Sequence, residues 1–547
     1  MFNLALIHEA IAERIPEREA IVFRDRRFSW RELTDRTRRL AELLRDHELG
    51  CHTERSELEN WESGQDHVGL YLHNGNEYLE GMLGAYKARA VPFNVNYRYV
   101  DDELVGLLED ADARALIFHA SFAPILDRIR DRLPKLTLLL QVSDDSAEPL
   151  LPGALDYEDA LAAASPSRPA SDLSPDDLYI LYTGGTTGMP KAVLWRQEDI
   201  FHSALYSSGA DSLEAVVERA LDKGPRVVTT PPFMHGAAHW VAFNMWHLGG
   251  TVIVPSNVRH LDPADVWSTI ERERATAMCI VGDAFGRPLV DELRAGDYDV
   301  SHLRLMTSGG AILSAALKRE FLDRIPGLRL LDALGSSEAG TQAAQYSERG
   351  DAATTGDFAL KPDNLVLNAD RSAIVVPGAS ESESEPGWAA RRGRVPLGYY
   401  KDSRKTAETF PVVDGVRYAV PGDRARITAD GSMQLLGRDS ATINTGGEKV
   451  FAEEVERTIK HHPGVYDAVV VPTPHERWGQ QVTALVVLRE GQGISAAELI
   501  DSCRGLIADF KLPRRVVFVD EIVRAPSGKA DYRWAKSRAL EALDAAV

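Results

Sequence analysis

Apolar and polar positions along the chain follow two rhythms. In "FSWRELTDRTRRLAELLRDHEL" Leu33, Leu40, Leu43 and Leu44 share one helical face, and Ser29 stands three residues before Glu32. That capping-box spacing predicts a helix starting just after Ser29. "MFNLALIHEAIAERIPEREA" reads as an earlier helix, because charge enters it too soon for a secretory signal. Beyond "HVGLYLHNGNEYLEGMLGAYKARAVPFNVN", the short β-branched runs "LYILYT", "RVVTTPPF", "GTVIVP", "AMCIVGD" and "LRLMTSGG" each lead into helical or turn-forming sequence. This alternation predicts an α/β fold with largely parallel sheets, which bind ligands at the carboxyl ends of their strands. "LGCHTERSELENWESGQDH" lacks a period and is expected to be a long surface loop, and the acidic "PGASESESEPG" a solvated loop or turn. After "LLGRDSATINTGGEKV", helix-like and strand-like runs mix closely enough for a small α+β domain with its own core.

Composition narrows the picture. A chain of 547 residues exceeds one hydrophobic core, so several domains are expected. With 44% apolar and 26% charged residues it resembles an ordinary globular protein, and no apolar run approaches a membrane span. The formal charge of -20 argues against nonspecific nucleic-acid binding, although an acidic protein still accommodates a locally basic site. Cys51, Cys279 and Cys503 are too scattered for a disulfide framework or a metal knuckle and fit a reducing cytoplasm.

Candidate chemistry begins at "LYTGGTTGMPKAV", residues 181 to 193. Glycine tolerates the positive φ that lets backbone N–H groups converge on an anion, threonine adds neutral donors, and Lys191 adds a charge for phosphate. The spacing is not that of a Walker A loop, and Pro190 opposes a helix running through the lysine. Taken alone, Asp423 after Pro421-Gly422 is as well a turn residue as a ligand contact, and Lys529 an exposed loop lysine. His461 and His462 are expected to end a helix before Pro463. Asp283 and Arg287 either pair with each other or place a polar feature near a ligand.

"YTGGTTGMPKAV" resembles the signature loop of the adenylate-forming superfamily, which comprises acyl-CoA synthetases, firefly-type luciferases and peptide-synthetase adenylation domains. Six further segments resemble that family's motifs in its order: "PPFMHG", "TSGGAIL", "LGSSEAG", "YAVPGDRARI", "LLGRDSATINTGGEKVFAEEVE" and "RAPSGKADYRWAK". The departures are Ala192 for glycine, Leu334 for an aromatic residue, Ser440 at the pivot and Ala452 for proline. The resemblance implies a large N-terminal domain of mostly parallel sheets flanked by helices with a β-barrel-like subdomain (1–437), a hinge (438–440) and a small mobile α+β domain (441–547).

The resemblance also implies site residues. Thr183, Gly184, Gly185, Thr186, Gly188 and Lys191 would hold the phosphates of ATP, with Thr187 and Glu338 on Mg²⁺. Gly309, Gly310 and Ala311 would lie along the nucleotide and acyl group, joined by Asp332, Ala333, Gly335, Ser336 and Ser337. His235 would stand by the acyl pocket, Asp423 would take the ribose hydroxyls and Arg438 would be a second nucleotide contact. Lys529 would be the catalytic lysine, and Gly446, Gly447 and Lys449 would serve coenzyme A. The implied activity is ATP-dependent activation of a carboxylic acid as acyl-AMP, then transfer to CoA. "VLWRQ", "IVGDAFGRPLV" and "RVPLGYYKDSRKTAETF" are most similar to actinobacterial synthetases of fatty acids and steroid side-chain acids, a pair the sequence does not separate. The alternative is an acyl-AMP ligase or adenylation enzyme loading a carrier protein. Oligomeric state is left open, a homodimer included.

Overall fold

In the computed structural model, residues 2–168, 172–183, 190–206, 208–222, 224–351, 357–360, 362–375, 385–445 and 448–544 are described. The helix expected after Ser29 spans Trp30–Asp46. Ser29 Oγ accepts from Glu32 N at 3.2 Å while the Glu32 carboxylate accepts from Ser29 N at 2.7 Å, which satisfies two donors at the helix start. Leu33, Leu40 and Leu44 are wholly buried on its inner face. Asn3 caps the first helix, Leu4–Arg14. Residues 50 to 66 form a loop with one short 3-10 turn, Arg55–Glu57, closed by a β-bridge between Cys51 and Gln65, as their lack of a period implied.

The β-branched runs "RVVT", "TVIV", "AMCI" and "LMTSG" become neighbouring parallel strands of an eight-stranded sheet. Its order is Gly340–Ser347, Arg329–Ser336, Leu305–Gly309, Ala277–Ile280, Arg226–Thr229, Thr251–Val254, Glu19–Phe23 and Arg26–Ser29, antiparallel only at its two edges. Successive side chains alternate faces. Met278, Ile280, Met306 and Leu330 pack with the Pro263–Arg272, Gly282–Ala295 and Ala315–Arg324 helices. Val227 and Ala277 face the other way, into the core shared with the Gly236–His247 helix and the two N-terminal helices. A second, all-parallel sheet of five strands holds His67–Tyr71 and Ala113–His119 at its centre.

"LYILYT" departs from the parallel expectation. Leu178–Thr183 pairs antiparallel with Lys191–Arg196, and Gly398–Tyr399 adds a third strand. A parallel return needs a crossover of a dozen or more residues, and residues 184 to 190 are too few for one. Residues 357 to 438 form a seven-stranded antiparallel sheet. A further sheet, built from Thr442–Thr445, Glu448–Phe451, Val465–His475, Gly479–Leu488 and Arg515–Phe518, carries its own core around Val455, Val470, Val486 and Leu499. The fold is thus mixed α/β, with a large N-terminal part of parallel sheets and a smaller C-terminal part. "PGASESESEPG" lies almost entirely outside the described residues. Among the described residues no helix is long and apolar enough to cross a membrane.

Candidate active site

The Leu305–Gly309 strand ends in Gly310 and the Arg329–Ser336 strand in Ser337-Glu338, so both deliver backbone to one edge of the sheet. A cavity of about 1810 Å³ opens there, walled also by the antiparallel sheet and by the C-terminal part. Thr183, Lys191, His235, Gly310, Ala311, Asp332, Ala333, Gly335, Ser336, Ser337, Glu338, Asp423, Arg438 and Lys529 all line it. Residues far apart in sequence therefore share one space.

A small set of contacts fixes its polar geometry. Glu338 Oε1 accepts from the Tyr399 hydroxyl at 3.0 Å. Lys191 pairs with Asp402 and lies 5.6 Å from the Tyr399 ring centroid, so Tyr399 sits between the two. Asp423 and Arg438 face each other as register partners, with Nε to Oδ1 at 2.8 Å, and Arg438 Nη1 also donates to Pro421 O. Trp195 Nε1 donates to Ser337 O at 2.9 Å and Arg391 Nη1 to Ala339 O at 2.7 Å, which pins the turn that presents Glu338.

Lys529 enters from the C-terminal part on a tight loop. Gly528 has φ +75°, and a Cβ there would come 3.1 Å from Val281 O, so glycine permits both the turn and the close seating of the loop. Ala525 N donates to Lys529 O at 2.8 Å and Arg524 Nη1 to Gly528 O at 2.9 Å. Lys529 is exposed and lines the cavity. Surrounding protein lowers its pKa first by desolvation and next by the Arg438 charge, against the pull of Glu338, Asp423 and Glu453. The His235 imidazole is pushed down to about 3 by burial, with Lys529 and His239 adding to the effect. His235 is therefore neutral across physiological pH, and its buried Nε2 has no partner among the described residues.

Glu453 joins this group, and only the fold brings it there. Burial pushes its carboxyl up to about 7, helped by Glu456 and Asp423. The folded protein thus binds a proton here between the ordinary value of 4.5 and about 7, where the unfolded chain has released it. The site costs no stability near pH 4.5, and its full cost appears above pH 7. Glu453→Gln is expected to raise the thermal midpoint by a few degrees at pH 8 and to leave it unchanged at pH 5, as read by calorimetry at both.

From His235 the cavity continues between a helix and the sheet. Gly236, Ala237, Trp240, Val241, Asn244, Met245 and Leu248, spaced by three and four residues, present one face of the Gly236–His247 helix and its cap. Opposite lie alternate strand positions: Ala277 and Cys279, then Leu305 and Thr307, then Leu331 and Ala333. Alternation puts all six on one face of the sheet. The result is a largely apolar channel leading from the polar site.

Two comparisons decide the family. The model of the AMP-binding enzyme family matches residues 8–379, and that of the AMP-binding enzyme C-terminal domain matches residues 454–529. This chain is an AMP-binding enzyme. Such an enzyme, the medium-chain acyl-CoA ligase Mig of Mycobacterium avium, is 49% identical over 546 residues and covers 98% of both chains. A 3-oxocholest-4-en-26-oate–CoA ligase of Rhodococcus rhodochrous is 39% identical over 98% of this AMP-binding enzyme and 96% of its own length. Among solved structures, an anthranilate CoA ligase, AuaEII, holding anthranoyl-AMP superposes with TM-score 0.81 at 22% identity, over 99% of this chain and 98% of that one, a likeness of fold.

Not every expected residue of this AMP-binding enzyme reaches the cavity. Lys449 is exposed on the Glu448–Phe451 strand and stays outside it. The Asp332 carboxylate, although at the cavity edge, is held by the buried Lys318 ammonium at 2.6 Å. His461 and His462 follow the Ala452–Ile459 helix, away from the site. Asp283, which does line the cavity, pairs with Arg287 at 3.5 Å, and Arg287 also lies 4.8 Å from the Tyr466 ring centroid in the C-terminal part. Gly184, Gly185, Thr186, Thr187, Gly188, Gly446 and Gly447 fall outside the described residues. Tyr399 belongs to the quoted "PLGYYKD", and its small polar motif carried no hint that it would touch both Lys191 and Glu338.

Proposed function

We propose that the chain is an AMP-forming acyl-CoA synthetase that activates a hydrophobic carboxylic acid with ATP and passes it to CoA. One observation carries this reading: Lys529, Glu338, Asp423, Arg438 and His235 meet where an apolar channel enters a polar cavity. A carboxylate attacking the α-phosphate brings two anions together, so fixed positive charge lowers that barrier. Lys529 is the cation placed to lie between carboxylate and α-phosphate. Asp423 accepts hydrogen bonds from the ribose hydroxyls, and Arg438 holds Asp423 for that task. Neutral His235 caps the channel without competing for the carboxylate as a charge would.

Asp402 and Asp423 are held by Lys191 and Arg438, which leaves the Glu338 carboxylate, held by Tyr399, as a fitting donor for Mg²⁺, an ion that keeps most of its ligands as water and phosphate oxygens. Bound there with Thr187, the ion would neutralise phosphate charge. Glu338 is held in place by Tyr399, and Lys191 is the phosphate contact on the other side of that ring.

The domains divide at a hinge of residues 438–440, with 1–437 before it and 441–547 after it. Lys529 in the cavity represents the adenylating arrangement, and rotation at Ser440 would withdraw it for thioester formation. CoA rather than a carrier protein is favoured by the cluster beside the Thr442–Thr445 strand. Thr445 pairs with Gly479, next to Trp478, whose ring has the Arg477 guanidinium at 4.4 Å and Arg514 at 6.0 Å. An aromatic face with two cations suits an adenine bearing phosphates.

The channel and the relatives' names together point to medium-to-long fatty acids or steroid side-chain acids. Incubation with ATP, Mg²⁺ and a panel of such acids, with and without CoA, is expected to give AMP and acyl-CoA only when CoA is present. Acyl-AMP that accumulates and never reaches CoA would replace the synthetase with a carrier-loading enzyme.

A further inference from the structure

Asp283 and Arg287 take no part in the chemistry above, yet both are buried at the start of the Gly282–Ala295 helix. Four residues apart, they share one face of it. Backbone and side chains tie this helix start to the segment that lines the cavity. Gly282 N donates to Ser308 Oγ at 3.1 Å, Asp283 N to Ile312 O at 2.9 Å, and Ser314 N to the Asp283 carboxylate at 2.7 Å. The loop of Lys529 seats on the same place. A Cβ on Gly528 would stand 3.1 Å from Val281 O and 3.4 Å from Ala284 Cβ. One helix start therefore supports both the cavity wall at Gly310-Ala311 and the loop that carries the lysine.

Arg287 lies one turn beyond Asp283. Its side chain is 6% exposed, and Asp283, at 3.5 Å, is its one ion-pair partner among the described residues. What else meets the guanidinium comes from the C-terminal part: Tyr466, on the Val465–His475 strand, with its ring centroid at 4.8 Å. An aromatic face attracts the planar cation and asks for no hydrogen bond. Such a contact separates cleanly, because water replaces the ring and no donor or acceptor is stranded. A like charge works against it. Arg489 of the C-terminal part has its pKa lowered first by burial and next by Arg287. Attraction to the ring and repulsion from Arg489 oppose each other, which keeps the contact weak enough to be reversible.

Resting on the reading of Lys529 as the adenylating lysine and of residues 438–440 as a hinge, we propose that Arg287 and Tyr466 dock the C-terminal part for the first half-reaction. Tyr466 is a positioning residue: it acts by placing Lys529. At 1.5 Å per helical residue, Val281 to Arg287 spans about 9 Å, so dock and lysine seat lie on the same short stretch of helix. Asp283 orients Arg287 from the preceding turn. In the thioester-forming arrangement the ring leaves and Arg287 keeps Asp283.

The test measures the two half-reactions separately on the full-length enzyme: pyrophosphate release from ATP and a fatty acid, and thioester formation from supplied acyl-AMP and CoA. Tyr466→Leu is expected to slow the first about fivefold to tenfold, the scale of one cation–π contact, and to leave the second at the wild-type rate. Tyr466→Phe keeps the ring and should behave as wild type, and Arg287→Lys, which keeps the charge without the flat face, should fall between. Added to Lys529→Ala, Tyr466→Leu should cause no further loss in the first half-reaction, because the group it places is gone. Equal losses in both half-reactions, no loss in either, a Tyr466→Phe loss as large as that of Tyr466→Leu, or a loss that multiplies with that of Lys529→Ala would each overturn the dock. Wild-type enzyme that releases no pyrophosphate with any acid would instead overturn the synthetase reading.

Discussion

Lys529→Ala is expected to lower acid-dependent pyrophosphate release by about 10²–10³-fold, the usual scale for removing one preorganised charge from a transition state. Lys529 is exposed on its loop and makes no ion pair among the described residues, so the variant should fold as the wild type does and keep its thermal midpoint. Its effect should fall on one half-reaction only. Acyl-AMP supplied ready-made should still react with CoA at close to the wild-type rate, because thioester formation needs no charge between carboxylate and phosphate. Protonation adds a second signature. Burial and Arg438 lower the lysine's pKa, and the charged form is the useful one. Activity in the first half-reaction should therefore decline with rising pH earlier than an ordinary lysine would dictate, and His235, already neutral, should add no limb at neutral pH. Equal losses in both half-reactions would mean that Lys529 supports the fold or the CoA step instead.

Asp423→Ala should raise KM for ATP about 10²-fold, with a smaller change in kcat. The carboxylate is 9% exposed and sits 2.8 Å from Arg438 Nε, so its removal deletes a ligand contact and also leaves a guanidinium without its partner. Breaking a fully buried pair is strongly destabilising; with Arg438 37% exposed, on the order of 1–2 kcal/mol is expected. Asp423→Asn keeps an acceptor and should fall between wild type and Ala. Calorimetric titration with a non-hydrolysable ATP analogue, alongside thermal unfolding, separates the binding loss from the stability loss. Unchanged nucleotide affinity would make Asp423 a turn residue that only holds Arg438.

The helix capped by Ser29, the four parallel strands and the family motifs were legible because their signals are local. Capping needs two residues three apart, a strand needs a short β-branched run, and a glycine-rich turn needs glycines in a row. Lys191, Asp423 and Lys529 were readable for the same reason, since each sits in a short string of ordered neighbours. Pairing partners are a different matter. That Leu178–Thr183 turns back on Lys191–Arg196 depends on a hydrogen-bond ladder, and that Asp332 serves Lys318 depends on which face a strand turns inward.

By itself the sequence determined the α/β class, the family and the candidate residues, because propensity and motif spacing act over a few positions. Tertiary structure alone decided which side chains share the cavity. Tyr399 between Lys191 and Glu338, and Glu453 beside Asp423 and Lys529, are products of long-range packing. A carboxyl pushed up to about 7 takes its chemistry from burial and from Glu456, Asp423, Arg438 and Lys529, brought together by the fold. Burial and charge act through space, and only the folded chain sets those distances.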